Sequence, residues 1–361
     1  RLAAARARPG WDSTDPPGSA SEVAVRARAA EGFAQARPGH TLEFPRDHGA
    51  HPDFRIEWWY LTANLSGDDG QTYGAQWTLF RTAVHFPGSI QATNAWQSEQ
   101  VYMAHFALSE PDDHRAFQRY ARGGTHEGES RSGAIAAPFA VWLDDWKLES
   151  LDTAFLPLQV TARQEDRAMK LLLESDQPLV LQGEQGFSRK NPGGSGSYYY
   201  SHPFLLASGE LTIDGRKVAV QGNAWLDREW SSQFLQPDQT GWDWFSLHLE
   251  SGEKLMLFRL RSDNTDGNPG ADFRHGVLIE PGGNKRTLDP AQIGLQVVQA
   301  ERVAGRPLPL HWRIHLPEIS RTFEVRALHK DQWMDVDFPY WEGVITAMGE
   351  GPGNNGIGYL E

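Results

Sequence analysis

From Glu57 onward the chain alternates with a period of two. In EWWYLTANL, Trp59, Leu61, Ala63 and Leu65 fall on one face and Trp58, Tyr60, Thr62 and Asn64 on the other, the pattern of a β-strand. A turn, SGDDGQ, leads into YGAQWTLFR and predicts a hairpin. VYMAHFALSE (Val101–Glu110) predicts a further strand with Met103, His105 and Ala107 on one side. FAVWLDDWKLES, LPLQVTAR, AMKLLLES and PLVLQG continue the series, and ASGELTIDGRKVAVQGNAWL predicts a hairpin around Asp214-Gly215. The stretch GFSRKNPGGSGSYYYSHP (Gly186–Pro203) is expected to be a long Gly/Ser/Pro loop running into three tyrosines, able to pin itself or to gate a cavity mouth. One segment has a helical pattern. Ser19 and Glu22 have capping-box spacing, and Ala-rich EVAVRARAAEGFAQA follows, within a Pro/Gly/Arg-rich tail covering residues 1–40.

The strand pattern then recurs. WDWFSLHLESGEKLMLFRLR (Trp242–Arg261) resembles EWWYLTANLSGDDGQTYGAQWTLFR (Glu57–Arg81). Trp59 and Tyr60 match Trp244 and Phe245, and Leu79-Phe80-Arg81 matches Leu257-Phe258-Arg259. HGVLIEPGGNKRTL, LHWRIHLP, RTFEVRAL and YWEGVITAMG supply the remaining strands. The expected organisation is two related β-domains, 41–232 and 233–361. A length of 361 residues suits this, at about 100–200 residues per domain. With 36 glycines and 22 prolines for turns, the fold class is all-β, two antiparallel barrels packed together, since closure removes exposed edges.

Composition narrows the chemistry. The 47 acidic against 34 basic residues give a net charge of −13, which argues against nucleic acid and against an anionic membrane surface as partner. Without cysteine there is no disulfide, thiolate metal site or cysteine nucleophile. No apolar run approaches the roughly 18 residues of a membrane-spanning helix. The chain begins at Arg1 rather than Met, so removal of an upstream signal peptide is the expectation, with a periplasmic or secreted location.

The fourteen tryptophans concentrate the interest. Asn223–Leu249, NAWLDREWSSQFLQPDQTGWDWFSLHL, holds Trp225, Trp230, Trp242 and Trp244 beside Asp227, Arg228, Glu229 and Asp243. Carboxylates against aromatic walls suit a pocket for an apolar molecule, with an acid whose pKa is raised enough to donate a proton. They equally suit a structural seam in which Arg228 or backbone N–H groups satisfy the acids. Trp242, Trp244, Ser246 and His248 share one strand face, and the polar pair makes it the ligand-facing side. Glu57-Trp58-Trp59-Tyr60 mirrors this composition, and His105 is a base candidate within an apolar strand. Among the tyrosines of the Gly-rich stretch, Tyr200 is a candidate ligand contact. His48 and His51 with Asp47 and Asp53 match no strong metal spacing, and Arg313 between His311 and His315 disfavours a cation there. No Gly-rich phosphate loop opens a helix and no G-x-S-x-G elbow is present, so neither a metal nor any other cofactor is expected.

At these residues the chain resembles a known family. RIEWWYLTANL, AHFALSE, YYYSHP, AWLDREWSSQ, GWDWFSLHL and the terminal GYLE are similar to the AttH and carotenoid 1,2-hydratase (hydroxyneurosporene synthase) superfamily, from about residue 41 to the end. The resemblance implies two lipocalin-like barrels. Its hydratase branch adds water to a terminal alkene, which needs an acid, aromatic faces for the cation and a placed water. Carried over, Asp227 or Glu229 is the acid, Trp230, Trp242 and Trp244 the wall, and Asp243 or His105 the group orienting water. Trp58, Trp59, Tyr60, Trp225 and Arg228 complete the candidate ligand contacts. The hydratase branch carries histidine beside the Asp, whereas this chain has Arg228, which does not exchange protons at ordinary pH. That points to the broader AttH-like branch, in which some relatives of the fold are linked to cyclisation of natural products. Three readings follow: a binder of a hydrophobic small molecule, a hydratase, lyase or isomerase acting on an isoprenoid or polyketide, and a module serving an exporter or membrane-associated protein partner.

Overall fold

The computed structural model describes residues 32–85, 99–123, 130–233, 235, 239–262 and 272–361. These residues are built from strands, with short 3-10 turns such as Arg46–His48. The first sheet comprises β1 (Ile56–Gly67), β2 (Thr72–Ala83), β3 (Gln100–Ser109), β4 (His114–Gly123), β5 (Ser132–Ala136), β6 (Phe139–Leu143) and β7 (Trp146–Ser150). It continues with β8 (Leu158–Gln164), β9 (Arg167–Glu174), β10 (Val180–Leu181), β11 (Phe187–Arg189), β12 (Gly196–Ile213) and β13 (Arg216–Ser231). The second comprises β14 (Gln239–Leu249), β15 (Lys254–Ser262), β16 (Phe273–Ile279), β17 (Lys285–Thr287), β18 (Gly294–Val303), β19 (Arg306–Leu316) and β20 (Arg321–Ala327). A small ribbon, β21 (Trp333–Met334) and β22 (Tyr340–Trp341), precedes its last strands, β23 (Gly343–Gly349) and β24 (Gly356–Leu360).

Strand order in the first sheet is β4-β3-β2-β1-β13-β12-β9-β8-β7-β6-β5, with β10 and β11 on β12. It curls until β4 meets β5, a nearly closed barrel. The second sheet, β17-β16-β15-β14-β24-β23-β20-β19-β18, is a half-barrel, and all pairings are antiparallel.

Alternation explains both cores. Trp59, Leu61, Ala63 and Leu65 of β1 point into the barrel, where they meet Trp77, Leu79, Phe106 and Trp146, all buried. Each such side chain contributes roughly 1.5–3 kcal/mol by leaving water, and together they fill the barrel interior. Phe245, Leu247 and Leu249 of β14 do the same for the half-barrel, with Leu257 and Trp312. The opposite faces of β1 and β14 meet each other. Tyr60, Tyr199, Trp225, Trp244, Phe258, Val344 and Tyr359 form a third apolar cluster, the seam between the sheets. Gly74 of β2 permits the approach, because a Cβ there would lie 2.5 Å from both Tyr359 Oη and Val344 Cγ2.

Several expectations change. The Gly186–Pro203 stretch is mostly strand, and only residues 190–195 turn between β11 and β12. Gly196 and Ser197 pair with β11, and from Tyr198 through Ser201 the ladder is supplied by β13. In the internal repeat the first two pairs are off by one residue. Trp59 pairs with Leu79 inside the barrel as Phe245 pairs with Leu257 inside the half-barrel, whereas Tyr60 and Trp244 both face the seam. The helix expected after Ser19 lies largely outside the described residues, and residues 32–36 form a turn and irregular chain. The hairpin at Asp214-Gly215 has both φ angles positive, 50° and 76°, as a type I′ turn requires.

Candidate functional site

Strand alternation sorts the tryptophan-rich centre onto two faces. Register aligns Tyr60 with Asp227 and Ser201, Trp58 with Glu229 and Tyr199, and Trp59 with Arg228 and Tyr200. The first two rows face the seam and the third faces the barrel. Asp227 and Glu229 are therefore not paired with Arg228, although the three are neighbours in sequence.

Arg228 belongs instead to a buried cluster at the barrel end. Its guanidinium and that of Arg81 both donate to the Glu57 carboxylate, and the His51 backbone N–H donates to it at 3.0 Å. Burial alone would raise the Glu57 pKa, but Arg228 and Arg81 outweigh it and hold the group well below the usual carboxylate range. The Arg228 guanidinium lies 3.9 Å from the Trp59 ring and 4.9 Å from that of Trp230, which in turn stacks on His51 at 3.9 Å. Tyr200 Oη shares a proton with His48 Nδ1 at 2.7 Å. Trp59, Tyr200, Arg228 and Trp230 are thus brought together with Glu57, away from the seam acids.

The seam gathers the other acids. Asp227 accepts from Tyr199 Oη at 2.6 Å, Ser201 Oγ at 2.5 Å and Trp225 Nε1 at 2.6 Å. Burial still outweighs those three donors and raises its pKa to about 7. Glu229 accepts from Ser197 Oγ and pairs with Lys190 Nζ at 2.8 Å, so it is held as an ion pair. Lys190 comes from the β11–β12 turn and lies 4.4 Å from the Phe258 ring, linking that turn to the second sheet. Tyr60 Oη donates to Glu342 Oε1 at 2.5 Å, while Glu342 Oε2 is buried with no hydrogen-bond partner. Burial, with Glu361 close by, pushes Glu342 well above its ordinary value. His105 shares a proton with Tyr340 Oη at 2.9 Å through Nδ1, and its Nε2 lies 3.2 Å from Gln118 Oε1. With Gln118 accepting at Nε2, Nδ1 is the acceptor for the tyrosine hydroxyl. Burial lowers the His105 pKa to about 4, so the ring is neutral at pH 7.

A cavity of about 320 Å³ opens in the half-barrel, lined wholly by residues of the second half, and borders the seam through Trp242. Trp242, Trp333, Trp341 and Leu360 form its apolar wall, and Tyr340 and Glu361 also line it. Burial raises the Glu361 pKa to about 7, reinforced by Asp227 and Glu229 and opposed by a hydrogen bond from Trp242. Asp243, at the same cavity, is paired with Arg259 at 2.7 Å and with Arg261. That pairing occupies its oxygens and leaves Glu361 as the carboxyl most available to an occupant. Of the residues singled out in sequence, Trp242 and Asp243 line the cavity. Trp58, Tyr60, Trp225, Asp227, Glu229, Trp244 and His105 form the seam behind it.

Sequence reasoning passed over Tyr340, Glu342 and Glu361. Tyr340-Trp341-Glu342 repeats the aromatic-plus-acid composition of Glu57–Tyr60 in reverse order, and that composition was the available signal.

A nearly closed barrel carrying a half-barrel on its outer face, with an acid- and tyrosine-rich seam between them, defines a two-sheet lipocalin-like protein. The chain belongs to the AttH-like family, whose profile matches residues 35–361. It is similar to an AttH protein of known structure from Nitrosomonas europaea, with 36% identity over 91% of this chain and 99% of that one, at a TM-score of 0.76. Kievitone hydratase from Nectria haematococca has the same fold, with 15% identity, 91% and 96% coverage and a TM-score of 0.63. So has CghA in complex with Sch210972, with 13% identity, 86% and 88% coverage and a TM-score of 0.50. No curated protein matches the sequence at a significant level.

Proposed function

We propose that the protein binds a small, largely apolar molecule in the cavity at the seam and that the carboxyl groups there donate a proton to it. One observation carries this reading: Glu361, with a pKa near 7, lies in the lining of a cavity walled by three tryptophans. A carboxyl at that value is substantially protonated at neutral pH and can still accept the proton back, which suits general acid–base work. The volume sits at the low end of ligand pockets, about 300–1,000 Å³, and is too small to enclose a whole acyclic carotenoid. The occupant is therefore a compact molecule or the end of a longer one.

The chemistry that fits is acid-catalysed addition of water to, or cyclisation of, an alkene. Glu361 would deliver its proton to one alkene carbon, forming a C–H bond. The cation left on the neighbouring carbon would lie against the Trp242, Trp333 or Trp341 faces. Water would then form the C–O bond and return a proton to the carboxylate. Kievitone hydratase, by its name, performs a hydration on this fold, which is in keeping with the reading. A carrier that only binds is the second reading, favoured by the predominantly apolar wall.

Native mass spectrometry of protein purified gently from its host, followed by solvent extraction, tests the binding step. A single co-purified apolar mass is expected and supplies the compound for turnover assays. In an enzyme, Glu361→Gln should leave affinity within a few-fold and lower turnover by about 10²–10⁴. Turnover of the same compound by the variant at the wild-type rate would remove Glu361 as the proton donor. Tight binding without conversion by wild type would leave the carrier.

A further inference from the structure

A second group of reactive side chains lies in the seam, away from the cavity. β14 reaches the cavity at residues 240–243. His248 is five residues further along, about 17 Å at strand rise. There it sits directly opposite Lys254 of β15. Lys254 is 6% exposed, with Nζ 5.3 Å from the centre of the Phe204 ring of β12. Among the described residues no carboxylate lies within ion-pair distance of it. The stem is covered while Nζ keeps a little access to solvent, and without a counter-ion that partial burial disfavours the ammonium form. Two polar atoms on the same face of β14, Ser246 Oγ and His248 Nδ1, are buried without a partner. Buried polar atoms are nearly always bonded, so an unbonded pair beside an unpaired amine marks a place where a ligand oxygen would be bound.

We propose that Lys254 is a carbonyl-reactive amine that forms a Schiff base with a hydrophobic aldehyde or ketone entering the seam beside His248 and Ser246. Attack is open only to the neutral amine, and burial lowers Lys254 to about 8, well below an ordinary lysine. The groups facing it are His248 from β14, Phe204 from β12 and, against His248, the Trp225 ring of β13 at 5.9 Å. Burial, followed by the charge of Lys254, keeps His248 far below its ordinary value and therefore neutral. In the reaction the nitrogen lone pair forms the C–N bond while the carbonyl π pair moves onto oxygen. One proton passes from nitrogen to that oxygen through His248, with Ser246 Oγ bonded to it, giving the carbinolamine. The second N–H proton follows by the same route as the C–O bond breaks. Oxygen leaves as water and the C=N bond forms, so one water is released and no redox partner is needed.

The full chain treated with benzaldehyde and sodium cyanoborohydride near pH 7.5 tests this. Peptide mass mapping should place the first benzyl adduct on Lys254, several-fold faster than on the exposed Lys147, Lys170 or Lys217. Lys254→Met should abolish that first adduct. His248→Gln should slow it several-fold while labelling of Lys217 is unchanged. Wild-type protein labelled only at the exposed lysines, or at Lys254 no faster than at them, would overturn the proposal and leave the amine a structural side chain.

Discussion

Asp227 accepts three short hydrogen bonds and still holds its proton near neutral pH, because its burial beside Trp225 and Tyr199 removes more solvation than the donors return. The folded value lies above that of an exposed aspartate, so the folded state binds the proton more tightly. The stability this gives is full below about pH 4 and is lost as pH rises through about 7. Asparagine never ionises, keeps an oxygen for Trp225 and Ser201, and turns its amide toward the Tyr199 oxygen. Asp227→Asn should therefore gain on wild type by on the order of 2 kcal/mol between pH 5 and pH 8, seen as a few degrees in Tm. Thermal unfolding of both proteins across that range checks it. A Tm difference that does not change with pH would mean that Asp227 is ionised throughout.

At the scale of strands, the seam depends on small residues where the sheets come closest. Gly74→Ala places a methyl group against Tyr359 and Val344, neither at the end of a flexible chain. Overpacking of this kind costs about 1–3 kcal/mol. Urea denaturation followed by tryptophan emission should show that loss. Unfolding free energy unchanged within about 0.5 kcal/mol would mean that the sheets are not in tight contact there. The same strands show what sequence can and cannot carry. β1 and β14 were legible because each has one face in a dry core, which enforces strict alternation on residues such as Leu61 and Leu247. Alternation also separates Arg228 from Asp227 and Glu229, yet adjacency along the chain suggested one cluster. Glycine and serine content misled at Gly196–Ser201, where pairing with β11 at Gly196 and Ser197 and with β13, about 30 residues on, at Tyr198–Ser201 decides the conformation. Glu342 and Glu361 were invisible as site residues because the groups that act on them across the seam, the Tyr60 hydroxyl on Glu342 and the Asp227 charge on Glu361, come from the other sheet. No local pattern encodes which strand faces will dock.

For the whole molecule, the two cores are apolar and the surface between them is not. The seam carries Asp227, Glu342 and Glu361, all with pKa values raised by burial, together with the Glu229–Lys190 pair. A protonated carboxyl can be buried against Tyr60 or Trp242, whereas several ionised ones in one dry layer repel and each lose hydration. Each raised group contributes stability that is lost as pH rises through its folded value, about 7 for Asp227 and Glu361, and Glu342 too is held well above its ordinary value. Among the described residues the apolar clusters filling the barrel and half-barrel hold no carboxyl group, although Asp243, paired with Arg259 and Arg261 outside the seam, is raised as well. The net charge of −13 adds to the repulsion between halves at the same end of the pH scale. Alkaline pH should therefore loosen the docking of the sheets before it loosens either core. Hydrogen exchange at pH 6 and pH 8.5, corrected for the intrinsic rate, should show protection falling in β24 and the Trp242–Trp244 segment while β7 and β8 keep theirs. The triple variant Asp227→Asn, Glu342→Gln, Glu361→Gln should remove most of the difference. If protection falls equally in the barrel core, or falls as much in the triple variant, the acids of the seam are not what holds the sheets together. Glu361 would then remain a group of the cavity alone.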